Sequence, residues 1–128
     1  MNKLIIDVAN KKIFLMIITN FSIYNITHEN TKINYEKLTI IVNDFLLSKN
    51  LRISDISAIY VNRGPGSFAG IRNLMSVVKA FNVAKNIEYY SYNLDDFKDE
   101  KDLSYENIPN LCKKYKIKKN LINPVYLS

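Results

Sequence analysis

The first quarter of the chain carries short apolar runs separated by polar residues. Residues 4–6 and 13–18 are continuous apolar runs, and the polar residues 10–12 between them suit a tight turn. Residues 21–26 favour a third strand. This pattern predicts three antiparallel strands, and the unbroken run 13–18 is typical of a strand that is covered on both faces.

The next segment has the period of a helix. Its apolar positions, spaced i, i+3, i+4 and i+7, are Leu38, Ile41, Val42 and Phe45, with Tyr35 one turn earlier. This spacing predicts an amphipathic helix over residues 34–49. Ile40 and Leu47 lie off the apolar stripe. A second side of this helix must therefore be covered by the rest of the fold or by another molecule.

A strand, a helix and another strand follow. Residues 55–62 are rich in β-branched and aromatic side chains, which favours a strand. Ser67 is a good N-cap for a helix over 68–85, and residues 88–92 give a fifth strand, which the right-handed crossover rule places parallel to the fourth. The chain is therefore predicted to be an α/β domain, with a mixed five-stranded sheet and two main helices.

From residue 93 onward the character of the chain changes. An acidic stretch over 95–102 precedes a basic run over 113–119. Alternating blocks of charge of this kind predict a solvated linker and a short helix.

Composition limits the classes of function. The chain has 128 residues, 48% of them hydrophobic and 23% charged, as in globular domains. Its formal charge of +6 would attract nucleic acid or another anionic surface, although lysine is abundant throughout. One cysteine, Cys112, and one histidine, His28, exclude a disulfide and a four-ligand zinc site. No apolar run is long enough for a membrane span or a signal peptide, so we expect a soluble protein of the reducing cytoplasm.

A glycine-rich segment carries the most distinctive residues. Its members are Gly64, Pro65, Gly66, Ser67, Phe68 and Gly70. The segment lacks the lysine of a P-loop and the glycine spacing of a dinucleotide fingerprint. The N-terminus of the following helix could attract an anion, but the segment is predicted mainly to set the angle between strand and helix.

This segment resembles the signature of the TsaB (YeaZ) family. Residues 57–81, SAIYVNRGPGSFAGIRNLMSVVKAF, are similar to the family pattern GPGSFTGLR followed by an alanine-rich helix. The opening LIID at 4–7, His28 with Glu29, and NPVYL at 123–127 also resemble family features. The resemblance covers about residues 3–92.

The resemblance implies the first lobe of an actin-like, ribonuclease-H-like fold. It also implies a non-catalytic cytoplasmic subunit for making threonylcarbamoyladenosine in tRNA, with a TsaD-like partner that carries the metal and nucleotide and with TsaE completing the assembly. Residues 1–92 would form this lobe, and residues 93–128 a short remnant in place of the second lobe. Ala69 stands where the family pattern has threonine, so a polar contact there is lost.

Several single residues have side chains that could carry chemistry of their own. Asp7 could hold magnesium, but Val8 and the two residues after it supply neither the glycine nor the hydroxyl of a phosphate cradle, so Asp7 is predicted to end a strand. His28 is predicted to be a polar cap and Cys112 an ordinary thiol. We therefore expect no metal, no cofactor and no catalytic residue.

The helix over 68–85 has more apolar surface than one side of a sheet can cover. We expect Ile71, Met75 and Val78 to contact a partner, with Arg72 and Lys79 as charges at the rim. The alternative is that the first helix or the C-terminal tail covers this face.

Other functions stay open at this point. The lysine run 113–119 and Arg63 could bind tRNA directly, and the loop 64–70 could bind nucleotide weakly. A homodimer of the chain alone, and tRNA contact through the complex, are also open.

Overall fold

The centre of the computed structural model, which describes residues 1–121 and 126–127, is a five-stranded sheet. Its strands are β1 (Asn2–Asp7), β2 (Lys12–Ile18), β3 (Ile23–Glu29), β4 (Ile56–Asn62) and β6 (Glu88–Tyr92), and they lie in the order β3-β2-β1-β4-β6. β1 pairs antiparallel with β2 and parallel with β4, and β4 pairs parallel with β6. The predicted mixed sheet, with three antiparallel strands followed by a βαβ unit, is confirmed.

The third strand starts later than the sequence predicted. Thr19 and Ser22 close the turn before it, with the Thr19 amide donating to the Ser22 carbonyl at 2.9 Å. The Thr19 hydroxyl also accepts from the Ser22 amide, at 2.9 Å. Phe21 therefore lies in the turn, where it is 96% exposed, and is not part of the strand.

The helices are α1 (Lys32–Glu36), α2 (Leu38–Ser48), α3 (Phe68–Lys85) and α4 (Ile108–Lys114) among the described residues. The single helix predicted over 34–49 is divided at Lys37, whose amide bonds to the Asn34 carbonyl three residues back, at 3.0 Å. Thr31 caps the first piece by accepting from the Asn34 amide. The tightened turn at Lys37 explains why one periodic segment became two helices.

The helix predicted over 68–85 is confirmed at both ends. The Ser67 hydroxyl accepts from the Gly70 amide at 3.2 Å, which is the expected N-cap bond. Asn86 ends the helix in the left-handed conformation, with a φ of 55°.

One face of the sheet forms a core with α2 and α3. Alternate residues of the central strands, such as Leu4, Ile6 and Ile59, point to this side and are fully buried. The apolar stripes of α2 and α3 supply the other half, including Val42 and Leu74. The helix layer is thus held by a continuous apolar contact.

The other face of the sheet is covered by the C-terminal segment. Phe97, Ile108, Leu111 and Cys112 are each at most 2% exposed and pack against strand residues that include Tyr92. The prediction of a short helix here is confirmed. The predicted linker is exposed over most of residues 98–103, but Phe97 anchors its start in the core. The apolar residues on this second face of the strands require cover, and residues 94–114 supply it.

The glycine-rich segment contains one strand of a second sheet, which has two strands among the described residues. Gly66–Ser67 (β5) runs parallel to Tyr126–Leu127 (β7). The family-like ending over 123–127 lies partly outside the described residues, since 122–125 and 128 are not described. No helix in the described part of the chain is long and apolar enough to cross a membrane.

Candidate functional site

The carboxyl ends of β1, β4 and β6 meet at one edge of the sheet, where a ligand site of an α/β fold is usually found. Asp7 ends β1 there, as predicted, and is only 2% exposed. One of its carboxylate oxygens accepts from the Ala9 amide at 2.8 Å. The other accepts from the Asn62 side chain at 3.2 Å and from the Tyr105 hydroxyl at 2.9 Å. Both oxygens of this carboxylate are therefore bound within the chain.

Tyr105 reaches Asp7 from the C-terminal segment. Its ring stacks on Phe14 with the centroids 4.0 Å apart. Burial and the negative charge of Asp7 raise the pKa of Tyr105, so the phenol remains a protonated donor. The Tyr105 hydroxyl thus takes one hydrogen-bonding position of the Asp7 carboxylate.

Two asparagines shape the glycine-rich segment. The Asn62 side-chain oxygen accepts from the Gly64 amide at 3.0 Å, and the Asn93 side chain donates to the Gly64 carbonyl at 2.9 Å. Gly64 has a φ of 115°, in the region that favours glycine, and the bond to Pro65 is cis. These contacts support the predicted role of the segment in setting the path from strand to helix.

Gly66 allows the segment to approach β1 closely. A Cβ atom at this position would lie 3.0 Å from the Cα of Ala9 and 3.1 Å from the Cδ1 of Ile71. The segment is therefore fitted against the end of β1, and a larger residue would force the two apart.

Two shallow cavities flank this segment. The larger, of about 400 Å³, is lined by Val8, Ala9, Asn10, Lys11, Asn30, Tyr35 and Ser67. Among the described residues, Lys11 is its one charged lining residue, and the Ser67 hydroxyl is used by the helix cap. The smaller, of about 200 Å³, has no charged residue among the described residues that line it. In the described part of the chain, neither cavity therefore holds the cluster of acids, bases or cations that nucleotide chemistry requires.

Possible metal ligands do not cluster in the part of the chain that the structure describes. Within it, no group of three or more His, Cys, Asp or Glu side chains is placed to hold a metal ion. His28 lies inside β3, opposite Ile13, and does not cap a helix, so the prediction of a capping role is wrong. The cap is supplied by Thr31 instead, because β3 continues past the predicted strand end.

Cys112 lies in the second core. It is 2% exposed, and burial, with a smaller effect from Asp96, raises the pKa of its thiol to about 12. A thiol of this kind is not ionised at neutral pH, which agrees with the prediction of an ordinary thiol.

The apolar residues predicted to contact a partner lie in the core. Ile71 and Val78 are fully buried and Met75 is 6% exposed, so their placement on an accessible surface was wrong. Their i, i+4, i+7 stripe is the one that the βαβ crossover packs onto the sheet. Arg72 and Lys79, predicted at the rim, are exposed.

The helix layer has other exposed apolar residues, which we call the helix-layer surface. Its members are Ile33 (66% exposed), Ile40 (58%), Leu47 (57%), Phe68 (52%) and Val83 (76%). Ile40 and Leu47 lie off the predicted stripe of α2, which agrees with their exposure. Val83 was missed, because it lies near the end of α3 among small and charged residues.

On α3 the exposed positions form one face. Phe68, Arg72, Lys79 and Val83 follow the helical repeat, and the Arg72 guanidinium lies 5.8 Å from the centroid of the Phe68 ring. On α2, Ile40 and Leu47 are two turns apart and share a side. Both main helices therefore present exposed apolar side chains, and α3 adds the flanking cations Arg72 and Lys79.

Comparison with known proteins gave a match to one family model and to solved structures, while no curated protein matches the chain. The family model, TsaD: tRNA N6-adenosine threonylcarbamoyltransferase, matches residues 29–93, just over half of the chain. The match includes α1 to α3, β4, β6 and the glycine-rich segment.

The similar solved structures establish the fold. YeaZ from Pseudomonas aeruginosa matches with a TM-score of 0.66 and 21% identity over 72% of this chain. This chain covers 43% of the length of that protein. RuvC from T. thermophilus, solved in complex with a Holliday junction substrate, matches with a TM-score of 0.52 and 11% identity. The match covers 68% of the RuvC chain and 77% of this chain.

These matches confirm the predicted resemblance and the ribonuclease-H-like, actin-like fold. The chain belongs to the TsaD family of the matched model, and it has the fold of YeaZ over 72% of its length.

Proposed function

We propose that the chain is a non-catalytic accessory subunit. It binds a TsaD-like catalytic protein in the cytoplasm and supports its formation of threonylcarbamoyladenosine in tRNA, with a TsaE-like ATPase as a further component. The helix-layer surface carries this proposal, since five large apolar side chains are more than half exposed there. Burying one such side chain contributes about 1.5–3 kcal/mol, so a partner helix laid on this surface would be held firmly.

The state of Asp7 supports a role without catalysis. Its carboxylate is bound by Asn62, Tyr105 and the Ala9 amide, and the nearby Ser67 hydroxyl serves the helix cap. The residues at this edge of the sheet thus stabilise the fold. The chemistry of the modification belongs to the partner.

We also propose that the two parts of the chain have different roles. Residues 1–92 provide the lobe that docks, and residues 93–128 replace the second lobe. The burial of Phe97, Ile108 and Leu111 supports this division, because these residues cover the sheet face opposite the helices.

Co-purification with the TsaD-like protein of the same cell tests the proposal. We expect Leu47→Glu combined with Val83→Glu to abolish recovery of the partner, since both positions are exposed and a charge there opposes an apolar interface. Phe21→Glu is the matched control, because Phe21 is exposed in the turn before β3 and lies outside this surface. It should leave recovery unchanged.

Equal recovery with the double variant and the control would contradict the proposal. Sedimentation of the chain alone adds a second readout. If two copies pair through the helix-layer surface, the double variant will sediment as a monomer, and the TsaD-like protein will compete with the homodimer.

A further inference from the structure

A groove of about 460 Å³ lies on the other face of the sheet, between the strands and α4. It is lined by Lys3, Tyr60, Tyr90, Pro109, Asn110, Cys112, Lys113, Lys116 and Ile117. This volume is in the range of small-molecule sites. The groove is on the face opposite the helix-layer surface, so the two surfaces can be tested separately.

Three lysines from separate parts of the chain line the groove. Lys3 comes from β1, Lys113 from the last turn of α4 and Lys116 from the segment after it. Among the described residues, none of the three forms an ion pair. Glu88, which accepts from the Tyr90 hydroxyl at 3.5 Å, is paired with Lys119 at 2.8 Å. The lining therefore carries positive charge that the described chain does not neutralise.

Two tyrosines form an aromatic part of the lining. Tyr60 and Tyr90 stack with their centroids 5.1 Å apart and their planes within 12°. Tyr90 is partly exposed, whereas Tyr60 is 7% exposed. Burial raises the pKa of Tyr60, so its hydroxyl stays protonated and is available as a donor at the groove.

A second cleft, of about 210 Å³, continues the first. The two share Lys116 and Ile117, and the second adds Lys118 and Ser91. Ser91 is 6% exposed, and its buried hydroxyl has no hydrogen-bond partner among the described residues. A buried polar group without a partner is costly, and a ligand atom in this cleft would satisfy it.

We infer that the two clefts form one binding track for single-stranded nucleic acid. Lys3, Lys113, Lys116 and Lys118 would contact successive phosphates, and the partly exposed Tyr90 would stack on a base. Cations spread over two adjoining clefts fit a strand better than a single phosphate group. Arg63 also lines the second cleft, but two hydrogen bonds, of 2.8 and 3.0 Å, commit it to Asp96.

Fluorescence anisotropy with a labelled single-stranded oligouridylate tests the track on the full chain. We expect Lys113→Glu combined with Lys116→Glu to weaken binding roughly tenfold or more at moderate salt and to flatten its dependence on salt. Lys32→Glu combined with Lys37→Glu makes the same change in net charge on the helix side and should change binding less than about threefold. Thermal melting of each variant checks that it is folded.

A second variant separates stacking from charge. Tyr90→Leu keeps every lysine and should weaken binding roughly fivefold or more, through loss of a stacked base. Three results would overturn the inference: equal binding by the two double-lysine variants, equal competition by a polyglutamate peptide, or binding of free uridine monophosphate as tightly as the oligomer. None of these results bears on docking of the TsaD-like protein, since that surface lies across the sheet.

Discussion

Tyr105 donates its hydroxyl to the buried carboxylate of Asp7 at 2.9 Å, although 98 residues separate the two in the chain. The bond ties the C-terminal segment to the end of β1, at the sheet edge where α/β folds usually bind ligands. It joins the two halves of the chain into one structure. With the Ala9 amide and the Asn62 side chain, it gives both oxygens of the Asp7 carboxylate hydrogen-bond donors from within the chain.

Tyr105→Phe should lower the free energy of unfolding by about 1–3 kcal/mol, because one oxygen of a buried carboxylate loses a donor. The ring stack on Phe14 would be kept, so the loss reports the hydroxyl alone. Urea unfolding measures the change. Tyr24→Phe is the control, since the Tyr24 ring interacts with Lys49 and its hydroxyl forms no hydrogen bond in the described structure. Equal stability of the two variants would mean that the bond to Asp7 is unimportant.

The contrast between local and distant signals explains what the sequence could predict. Ser67, the stripe of α3 and the end at Lys85 lie within one segment, so the helix was predicted at both ends. The contact of Tyr105 with Asp7 has no local signal, because its partners meet only when residues 94–114 fold over the second sheet face.

Part of the candidate surface was misjudged for a related reason. Periodicity showed that α3 has a stripe containing Met75, but periodicity does not say whether a stripe meets the sheet or a partner. The crossover between β4 and β6 decides this by turning Met75 inward and Val83 outward. The exposed surface was indicated more clearly at Ile40 and Leu47. Both residues lie off the stripe of α2, and both are exposed in the structure.

The Cys112 thiol should make the fold less stable at alkaline pH. Its pKa is raised to about 12, above the ordinary value of about 8.5, so the folded state favours the neutral thiol. The resulting stabilisation is complete below the ordinary pKa and is lost as the pH rises from about 9 toward 12. Buried Tyr60 and Tyr92 have raised pKa values and act in the same direction.

Urea unfolding of the wild type and of Cys112→Ala between neutral pH and about pH 10.5 measures this effect. The variant loses some stability at every pH from the smaller side chain, but its decline with pH should be shallower. Iodoacetamide should label the native thiol slowly and the urea-unfolded thiol rapidly. Parallel pH curves for the two proteins would show that the thiol contributes nothing to the alkaline loss.

Gly66→Ala should destabilise the chain by about 1–3 kcal/mol, because the new Cβ would press on backbone and not only on a flexible side chain. The contact is with the Cα of Ala9, at 3.0 Å. Ala69→Thr is the matched change nearby, since Ala69 is exposed and the substitution restores the residue of the family pattern. It should alter stability by less than about 0.5 kcal/mol. Thermal unfolding of both variants provides the comparison, and a neutral Gly66→Ala would show that the segment can move away from β1.

Two glutamate substitutions on the same helix should separate folding from docking. We expect Met75→Glu to impair folding, and Val83→Glu to impair docking without impairing folding. Met75 is 6% exposed, so a carboxylate there would be buried without a partner, and we expect a loss of about 3–5 kcal/mol or failure to fold. Val83 is 76% exposed, and its substitution should leave the melting temperature almost unchanged while reducing recovery of the TsaD-like protein. Melting curves and co-purification, measured on the same preparations, distinguish the two effects. A folded Met75→Glu protein that fails to bind would return the interface to the inner stripe of α3, since only an accessible Met75 could tolerate the charge.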